Sequence, residues 1–299
     1  MTHRTDSAPG RQTQRGAALV IVVSFVGIFA ALALSFTLTT RFHAQRSANA
    51  IRAIEAEALF ASVFNLVVHD LSNREPNQPV TFNAPILTCT AGGASIVAVL
   101  GGENGKVNLN RADGDLLTAL IAGLSEPPDD PERLAGSIID YRDPDEGTAQ
   151  GVNESRAYGV DDEVSMANRP FRLPDELGRV PTIRPELYWA LRPHVTVHSA
   201  GVRPDAAAAA PDLVTILERG SWSYLDRWRD TARRAPPSAL GQALNLNTTV
   251  TFQNGAQFRE ERVFRLSRDR GADLLVRHMP LSIKARDIPP ADKPCPHIG

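Results

Sequence analysis

Carboxylate and amide side chains are concentrated in one short stretch of the chain. The members of this acidic cluster are Asp140, Asp143, Asp145, Asn153 and Glu154. Oxygen donors at this density are the ligands that a hard cation such as Ca²⁺ prefers. The same residue types also suit the caps and turns of a solvated loop. The sequence therefore supports either a calcium site or a set of surface acids, and neither interpretation requires any other cofactor.

The residues that catalysis commonly needs show no comparable grouping. His194 and His198 have the spacing of a zinc protease pair, but they lie in a strand-like Val-Thr-Val segment without the adjacent glutamate. The sequence contains no Gly-x-Ser-x-Gly motif and no phosphate-binding loop. We therefore predict that the protein is not an enzyme.

Two cysteines, Cys89 and Cys295, stand far apart in the sequence. Their spacing excludes a Cys-x-x-Cys redox or zinc motif. In an oxidising compartment they would either form a disulfide that ties the C-terminal segment to the fold or remain apart as free thiols. The sequence leaves both alternatives open.

Nucleic acid is not an expected partner. The chain has 299 residues, 42% of them hydrophobic, and a formal net charge of −2, so it can build a packed core but carries no strong positive field. Two segments, 108–142 and 173–195, resemble helix-hairpin-helix modules, which hold DNA phosphates with the backbone N–H groups of a glycine-rich hairpin. The corresponding hairpins, 125–130 and 180–184, contain no glycine, and the first carries three acids that would repel phosphate.

The N-terminal region predicts a membrane anchor. The stretch from Ala17 to Thr40 has no charged residue, and as a helix it is long enough to cross a bilayer. Arginines precede it, which places the N-terminus in the cytoplasm by the positive-inside rule. A secretory signal cleaved after Ala33 is the alternative, but the apolar residues continue past that site to Leu38. We predict one spanning helix with the soluble part outside the cytoplasm.

The junction Arg15-Gly16-Ala17 resembles the type IV prepilin signal, a basic residue and glycine before an uninterrupted apolar helix. This resemblance implies that prepilin peptidase removes a leader of residues 1–16 by cleavage between Gly16 and Ala17. Most members of the pilin superfamily carry glutamate at the fifth mature position, which is Ile21 here. Within that superfamily, its absence is a mark of the K-type minor pseudopilins of type II secretion.

The rest of the chain predicts an α+β fold in which a sheet is interrupted by helices. Apolar residues at helical spacing extend the first helix to about Leu71, and strands follow between Val80 and Leu100. Helical signals run from about Ala112 to Leu244, after which a hairpin around Asn254-Gly255 and a further strand complete the sheet. The helices are predicted at 112–124, 131–141, 173–180, 185–191, 211–218 and 223–233, and the later strands at 250–252, 257–266 and 274–283.

An ordered set of phrases resembles the K-type minor pseudopilin family, also called general secretion pathway protein K. The phrases are Gly105-Lys-Val-Asn-Leu-Asn110, Ile138-Ile-Asp-Tyr-Arg-Asp-Pro-Asp145, Asn168-Arg-Pro-Phe171, Leu173-Pro-Asp-Glu-Leu177 and Leu191-Arg-Pro-His-Val-Thr-Val197. The resemblance covers most of the chain from Gly16 to Thr215. Members of this family are thought to bind calcium in the helical domain.

This resemblance implies an architecture and a function. The expected domains are a leader at 1–16, a transmembrane segment at 17–40, a discontinuous pilin-like α+β domain at 41–111 and 245–299, and an inserted all-α domain of helix-hairpin-helix or SAM-like type at 112–244. The implied function is to prime or cap the periplasmic pseudopilus of type II secretion from its tip, as a single-pass inner-membrane protein. The implied partners are the I-type and J-type minor pseudopilins, the major pseudopilin, prepilin peptidase and the inner membrane.

Two other functions fit the same anchor. A minor pilin of a related type IV filament shares the leader and the first helix, although helical insertions favour the pseudopilin. A membrane-anchored DNA-uptake protein with helix-hairpin-helix modules is the second alternative, and the hairpin sequences argue against it.

Overall fold

The computed structural model describes residues 14–74, 80–144, 167–231, 241–267, 271–278 and 293–296. The chain divides into two compact units, Met1–Glu57 and Ala58–Gly299. Helix α1, Gln14–Ser72, begins in the first unit and ends in the second. All other helices and strands of the described residues belong to the second unit.

The first unit carries the predicted anchor. Residues Leu19–Thr37 of α1 have a mean hydropathy of 2.7 and are 0% buried, so this segment is long and apolar enough to cross a membrane. Its few hydroxyl groups are satisfied within the helix, because Ser24, Ser35 and Thr37 each donate a 2.8 Å hydrogen bond to the carbonyl four residues earlier. Internal bonding of this kind is what an apolar environment requires of polar side chains.

The second unit begins with the last turns of α1, which bury an apolar stripe. Phe60, Val63, Val67 and Leu71 are buried at helical spacing. The neighbouring Phe64 packs edge-on against Phe264 of the sheet, with ring centroids 5.2 Å apart. The amphipathic pattern that predicts this helix therefore also provides its contact with the sheet.

The described residues form a five-stranded antiparallel sheet with the order β1-β2-β5-β6-β7. Gly92 and Gly93 connect β1 to β2 with φ values of 56° and 71°, as a tight hairpin turn requires. The predicted Asn254-Gly255 turn connects β5 to β6. The strands are β1 Ala84–Ala91, β2 Ala94–Gly102, β5 Ala243–Phe252, β6 Gln257–Ser267 and β7 Gly271–His278.

Between β2 and β5 the chain forms the helical insertion. Its helices are α2 Gly114–Ala122, α3 Pro131–Arg142, α4 Pro185–Leu191, α5 Pro211–Arg219 and α6 Leu225–Thr231. It also contains 3-10 helices at Glu103–Gly105, Pro174–Arg179 and Arg192–His194, and two short parallel strands, β3 Val107–Asn108 and β4 Val195–Thr196. A core of leucines, isoleucines and aromatic side chains fills its interior.

Local signals account for where the first helices of the insertion begin. The carboxylate of Asp113 accepts a hydrogen bond from the backbone N–H of Leu116, and Asp130 does the same for Arg133. Such N-caps satisfy donors that have no partner within the helix. The helices at 185–191 and 211–219 have no such cap but begin with a proline, which suits the first turn of a helix. The predicted helices at 112–124, 131–141, 185–191 and 211–218 are all found within two residues of their expected ends.

Three expectations differ from the structure. Residues 173–180 were expected to form an α-helix, but they contain a 3-10 helix in which Glu176 turns back to accept from the N–H of Arg172. Strand β5 begins at Ala243 instead of Val250, because residues 244–252 pair with β2 and Ala243 pairs with Arg265 of β6. The insertion begins before residue 112, since β3 pairs with β4 and not with the main sheet. Part of the last predicted strand, 279–283, lies outside the described residues.

Candidate functional site

The phrase Gly105-Lys-Val-Asn-Leu-Asn110 lies where the chain leaves the sheet and enters the insertion. Gly105 lies directly against the backbone of Ala208, because a Cβ atom at this position would be 2.2 Å from the Ala208 carbonyl oxygen. Only glycine permits this close approach without a shift of the backbone. The glycine of the phrase is therefore explained by contact between the start of the insertion and one of its later loops.

Glu103 is the buried charge of this region, with 1% of its surface exposed. The ammonium group of Lys106 lies 2.6 Å from its carboxylate, and the side-chain amide of Asn245 donates to it at 2.8 Å. The hydroxyl of Thr196 donates a third, short hydrogen bond. Burial alone raises the pKa of Glu103, but Lys106 and the hydrogen bonds outweigh burial, so the pKa lies below its usual value. Glu103 is therefore held as an anion.

A chain of ion pairs continues from Lys106 to the 3-10 helices Arg192–His194 and Pro174–Arg179. Lys106 lies 3.6 Å from Glu261 of β6, and Arg192 lies 3.5 Å from the same carboxylate. Arg192 also pairs with Asp175 at 2.8 Å. We call the connected set the junction network, and its members are Glu103, Lys106, Asp175, Tyr188, Arg192, Thr196, Asn245 and Glu261.

Tyr188 of α4 is bonded to the end of the network at Asp175. Its hydroxyl donates a 2.7 Å hydrogen bond to Asp175. Burial and this bond to a carboxylate raise the pKa of Tyr188 to about 12, so the phenol keeps its proton at physiological pH. Because Asn245 and Glu261 belong to the sheet and the other members to the insertion, the network joins the two parts of the second unit.

The remaining phrases converge on the same region through Asn110 and Phe171. The side chain of Asn110 both donates to the carbonyl of Phe171 at 2.8 Å and accepts from its N–H at 2.7 Å. The ring of Phe171 stacks on Tyr141, with centroids 4.8 Å apart. Arg142 donates to the carbonyls of Leu109 and Ala112. Phrases that are separate in the sequence are thus parts of one packed junction.

The acidic cluster is only partly within the described residues. Asp140 lies in the last turn of α3, and Asp143 follows its end, where its N–H donates to the carbonyl of Ile139 at 3.1 Å. Asp145, Asn153 and Glu154 lie outside the described residues. Among the residues that are described, no group of three or more acidic, histidine or cysteine side chains is placed to hold a metal ion. The calcium site stays a prediction.

The two cysteines are bonded to each other in the structure, with Cα atoms 4.7 Å apart. Both are buried. The backbone of Thr90 on β1 donates to the carbonyl of Lys293 at 2.7 Å and accepts from the N–H of Cys295 at 2.9 Å. The C-terminal segment 293–296 therefore lies along the edge of β1, and the disulfide fixes it there.

The sequence interpretation missed the acidic side of the junction network. Glu103 and Glu261 carry no motif, and Asn245 lies between the last predicted helix, 223–233, and the predicted strand 250–252. One available signal was the Glu103-x-x-Lys106 spacing next to a glycine-rich, β-branched strand, since an ion pair that close to a buried strand is itself partly buried. The processing pair Gly16 and Ala17 lies within the bounds of α1.

Comparison with known proteins finds a family that is similar to this part of the chain. The family model for type II secretion system (T2SS), protein K, matches residues 97–200, which contain most of the junction network. No curated protein sequence matches the chain. A chain in the crystal structure of the GspK-GspI-GspJ complex from the type 2 secretion system of enterotoxigenic Escherichia coli has a similar fold, with a TM-score of 0.55 and 17% identity. The similarity covers 79% of this chain and 100% of that one. The family match includes all five phrases, so residues 97–200 of the chain are similar to protein K of the type II secretion system, and the chain shares the fold of the solved structure.

Proposed function

We propose that the protein is a minor pseudopilin that primes or caps the pseudopilus of a type II secretion system from its tip. The observation that carries this proposal is the junction network. It attaches a large helical insertion to the sheet through the hydrogen bond from Asn245 to the buried Glu103 and through the ion pairs of Lys106 and Arg192 with Glu261, so the insertion is a fixed part of the subunit. A subunit whose outward face is covered by such a domain is not easily followed by another subunit. The proposed mechanism is therefore packing, without catalysis.

The proposed direct partners are the I-type and J-type minor pseudopilins. The support is that the solved chain of similar fold was crystallised in a complex named GspK-GspI-GspJ. The major pseudopilin is the proposed partner below this complex, and nucleic acid has no proposed role. We propose an inner-membrane location with one spanning helix, Leu19–Thr37, and the second unit in the periplasm.

Processing at Gly16 provides the first test of this function. When the full chain is expressed with prepilin peptidase, we expect a mature N-terminus at Ala17, and without the peptidase we expect the intact leader. Mass spectrometry of the intact protein distinguishes the two products. Gly16→Val is expected to block cleavage, whereas Gly10→Val in the same leader is the matched control that leaves it unchanged. Cleavage after Ala33, or no cleavage in the presence of the peptidase, would contradict the proposal.

Co-purification tests the partner assignment. Mature chain expressed with I-type and J-type pseudopilins is expected to elute with both from a size-exclusion column. If the correctly processed chain binds neither of them, the partner assignment is contradicted. The alternative of a minor pilin in a related filament, which has the same membrane anchor, would then be favoured.

We also propose that the acidic cluster binds Ca²⁺. The support is the chemistry of the donors, since Asp140 and Asp143 place carboxylates at the end of α3 and three further oxygen ligands follow in the sequence. These residues would hold the ion and fix the end of α3, and no step of assembly is assigned to the metal.

Calcium is expected to raise the thermal midpoint of the full chain by about 5–10 °C at saturating concentration, because a ligand that binds only the folded state stabilises it. The midpoint is measured in detergent with Ca²⁺, with Mg²⁺ and with a chelator. Asp143→Asn should remove most of the shift, and Asp129→Asn in the exposed hairpin before α3 is the control. An equal shift with Mg²⁺, or in Asp143→Asn, would show that the effect does not come from this cluster.

A further inference from the structure

Two segments of the insertion share a sequence pattern. Residues 115–123 and 212–220 both read Asp-Leu-x-Thr-x-Leu-x-x-Gly, and they correspond to α2 and α5 with the glycines that follow them. A second shared pattern precedes each, Val-x-(Leu or Val)-x-x-Ala, at 107–112 and at 195–200, and these begin with β3 and β4. The chain thus contains two strand–helix units with matching positions.

The structure pairs the matching positions with each other. Val107 lies opposite Val195 and Asn108 opposite Thr196 in the parallel pair of β3 and β4. In the helices, the equivalent leucines of the two patterns are all buried, whereas the equivalent aspartates are exposed. The four leucines are Leu116, Leu120, Leu213 and Leu217. Sequence equivalence and spatial equivalence therefore agree in both the strands and the helices.

The two glycines make reciprocal contacts where α2 and α5 cross. A Cβ atom on Gly123 would lie 1.8 Å from the carbonyl oxygen of Ile216, and one on Gly220 would lie 1.9 Å from that of Ala119. Ala119 and Ile216 are themselves equivalent positions of the pattern. Both glycines have negative φ values, −84° and −75°, so they are needed for space and not for an unusual backbone conformation.

This crossing has a consequence for the junction network. It holds the second strand–helix unit against the first, which keeps β4 beside β3. Thr196 of β4 donates to Glu103 from that position, and its carbonyl accepts from the N–H of Leu109 at 2.8 Å. A wider crossing would move β4 and withdraw a hydrogen bond from a buried carboxylate.

We propose that residues 107–123 and 195–220 are two copies of one strand–helix unit, and that Gly123 and Gly220 are positioning residues that hold the crossing which places Thr196 against Glu103. The two glycines then act as one contact. Substitution of either glycine is sufficient to move α2 and α5 apart, and substitution of the second glycine adds little.

Alanine substitution of the glycines in the full chain tests this proposal. Gly123→Ala and Gly220→Ala are each expected to lower the thermal midpoint by about 5–10 °C, since a methyl group placed against a carbonyl forces the helices apart. The double variant should fall by about the same amount as the more affected single variant. Hydrogen exchange at the N–H of Leu109 is expected to accelerate at least about tenfold, while the amides of β5 that pair with β2 keep their protection.

Gly114→Ala at the start of α2 is the matched control, because its Cβ would lie an ordinary 3.6 Å from Ile139 and should leave the midpoint and the exchange unchanged. The proposal is overturned if the two shifts add in the double variant, since the glycines would then serve separate contacts. It is also overturned if exchange rises uniformly in β5 and at Leu109, because that result indicates general loss of stability and not a displaced β4.

Discussion

Replacing Lys106 by methionine is expected to lower the free energy of unfolding by about 3–5 kcal/mol, because it leaves a buried carboxylate without its cation. Glu103 is 1% exposed, and Lys106 is the cation closest to it, at 2.6 Å. Methionine keeps the apolar stem of lysine, so the change removes the charge with little loss of packing. Denaturant unfolding of the full chain in detergent measures the effect.

Two further variants separate charge from packing. Glu103→Gln combined with Lys106→Met removes both charges and should recover much of the lost stability, because a buried pair contributes little net energy over neutral residues. Arg229→Met is the surface control, since it breaks an exposed pair with Glu218 at 3.0 Å and should cost at most about 1 kcal/mol. If Lys106→Met costs no more than Arg229→Met, the junction network does not stabilise the insertion.

The same carboxylate predicts a dependence of stability on pH. The pKa of Glu103 lies below its usual value of 4.5 in the folded protein, chiefly because attraction to Lys106 overcomes the opposing effect of burial. A carboxyl group with a lowered folded pKa stabilises the fold above its unfolded pKa, and this contribution is lost as the pH falls through the folded value. The stability difference between the wild type and Glu103→Gln should therefore be largest near pH 7 and shrink below pH 4.5. A difference that is constant with pH would contradict the ionised state.

Removal of the disulfide is the second large effect that we expect. Cys89→Ala with Cys295→Ala should lower the free energy of unfolding by about 3–5 kcal/mol, because the bond closes a loop with a sequence separation of 206 residues in the unfolded chain. The amide protons of Thr90 and Cys295 form the two backbone hydrogen bonds between β1 and the C-terminal segment. They should exchange faster with solvent in this variant, since little else among the described residues holds that segment. Denaturant unfolding and hydrogen exchange measure the two consequences.

The corresponding control is the wild-type chain reduced with dithiothreitol, which removes the cross-link without changing the sequence. Reduced wild type and the double alanine variant should unfold at similar denaturant concentrations. A stable, fully protected segment 293–296 in the double variant would show that backbone pairing with β1 is sufficient and that the disulfide is dispensable.

Much of the local structure could be predicted because short-range signals specify it. Helix α4 has its predicted bounds, 185–191, since Pro185 is well suited to the first turn of a helix. Strand β5 shows the limit of this reasoning. Its first half contains Asn245, Asn247 and Thr248, which do not form an apolar alternation. The two asparagine side chains are tolerated in a central strand because each has a hydrogen-bond partner in the fold. Asn245, for example, bonds to Glu103 from 142 positions away.

The sequence by itself determined the long apolar helix, the α+β class and the set of phrases that resemble the protein K family, because each depends on residues close together in the chain. The tertiary structure alone decided that the phrases meet in one junction, that Cys89 bonds to Cys295 and that Glu103 is an ionised, buried partner of Lys106. It also decided which glycines are required for space, since Gly123 and Gly220 contact the carbonyls of Ile216 and Ala119, which are distant in the sequence. Contacts of that range depend on how helices and strands pack, and no local pattern records them.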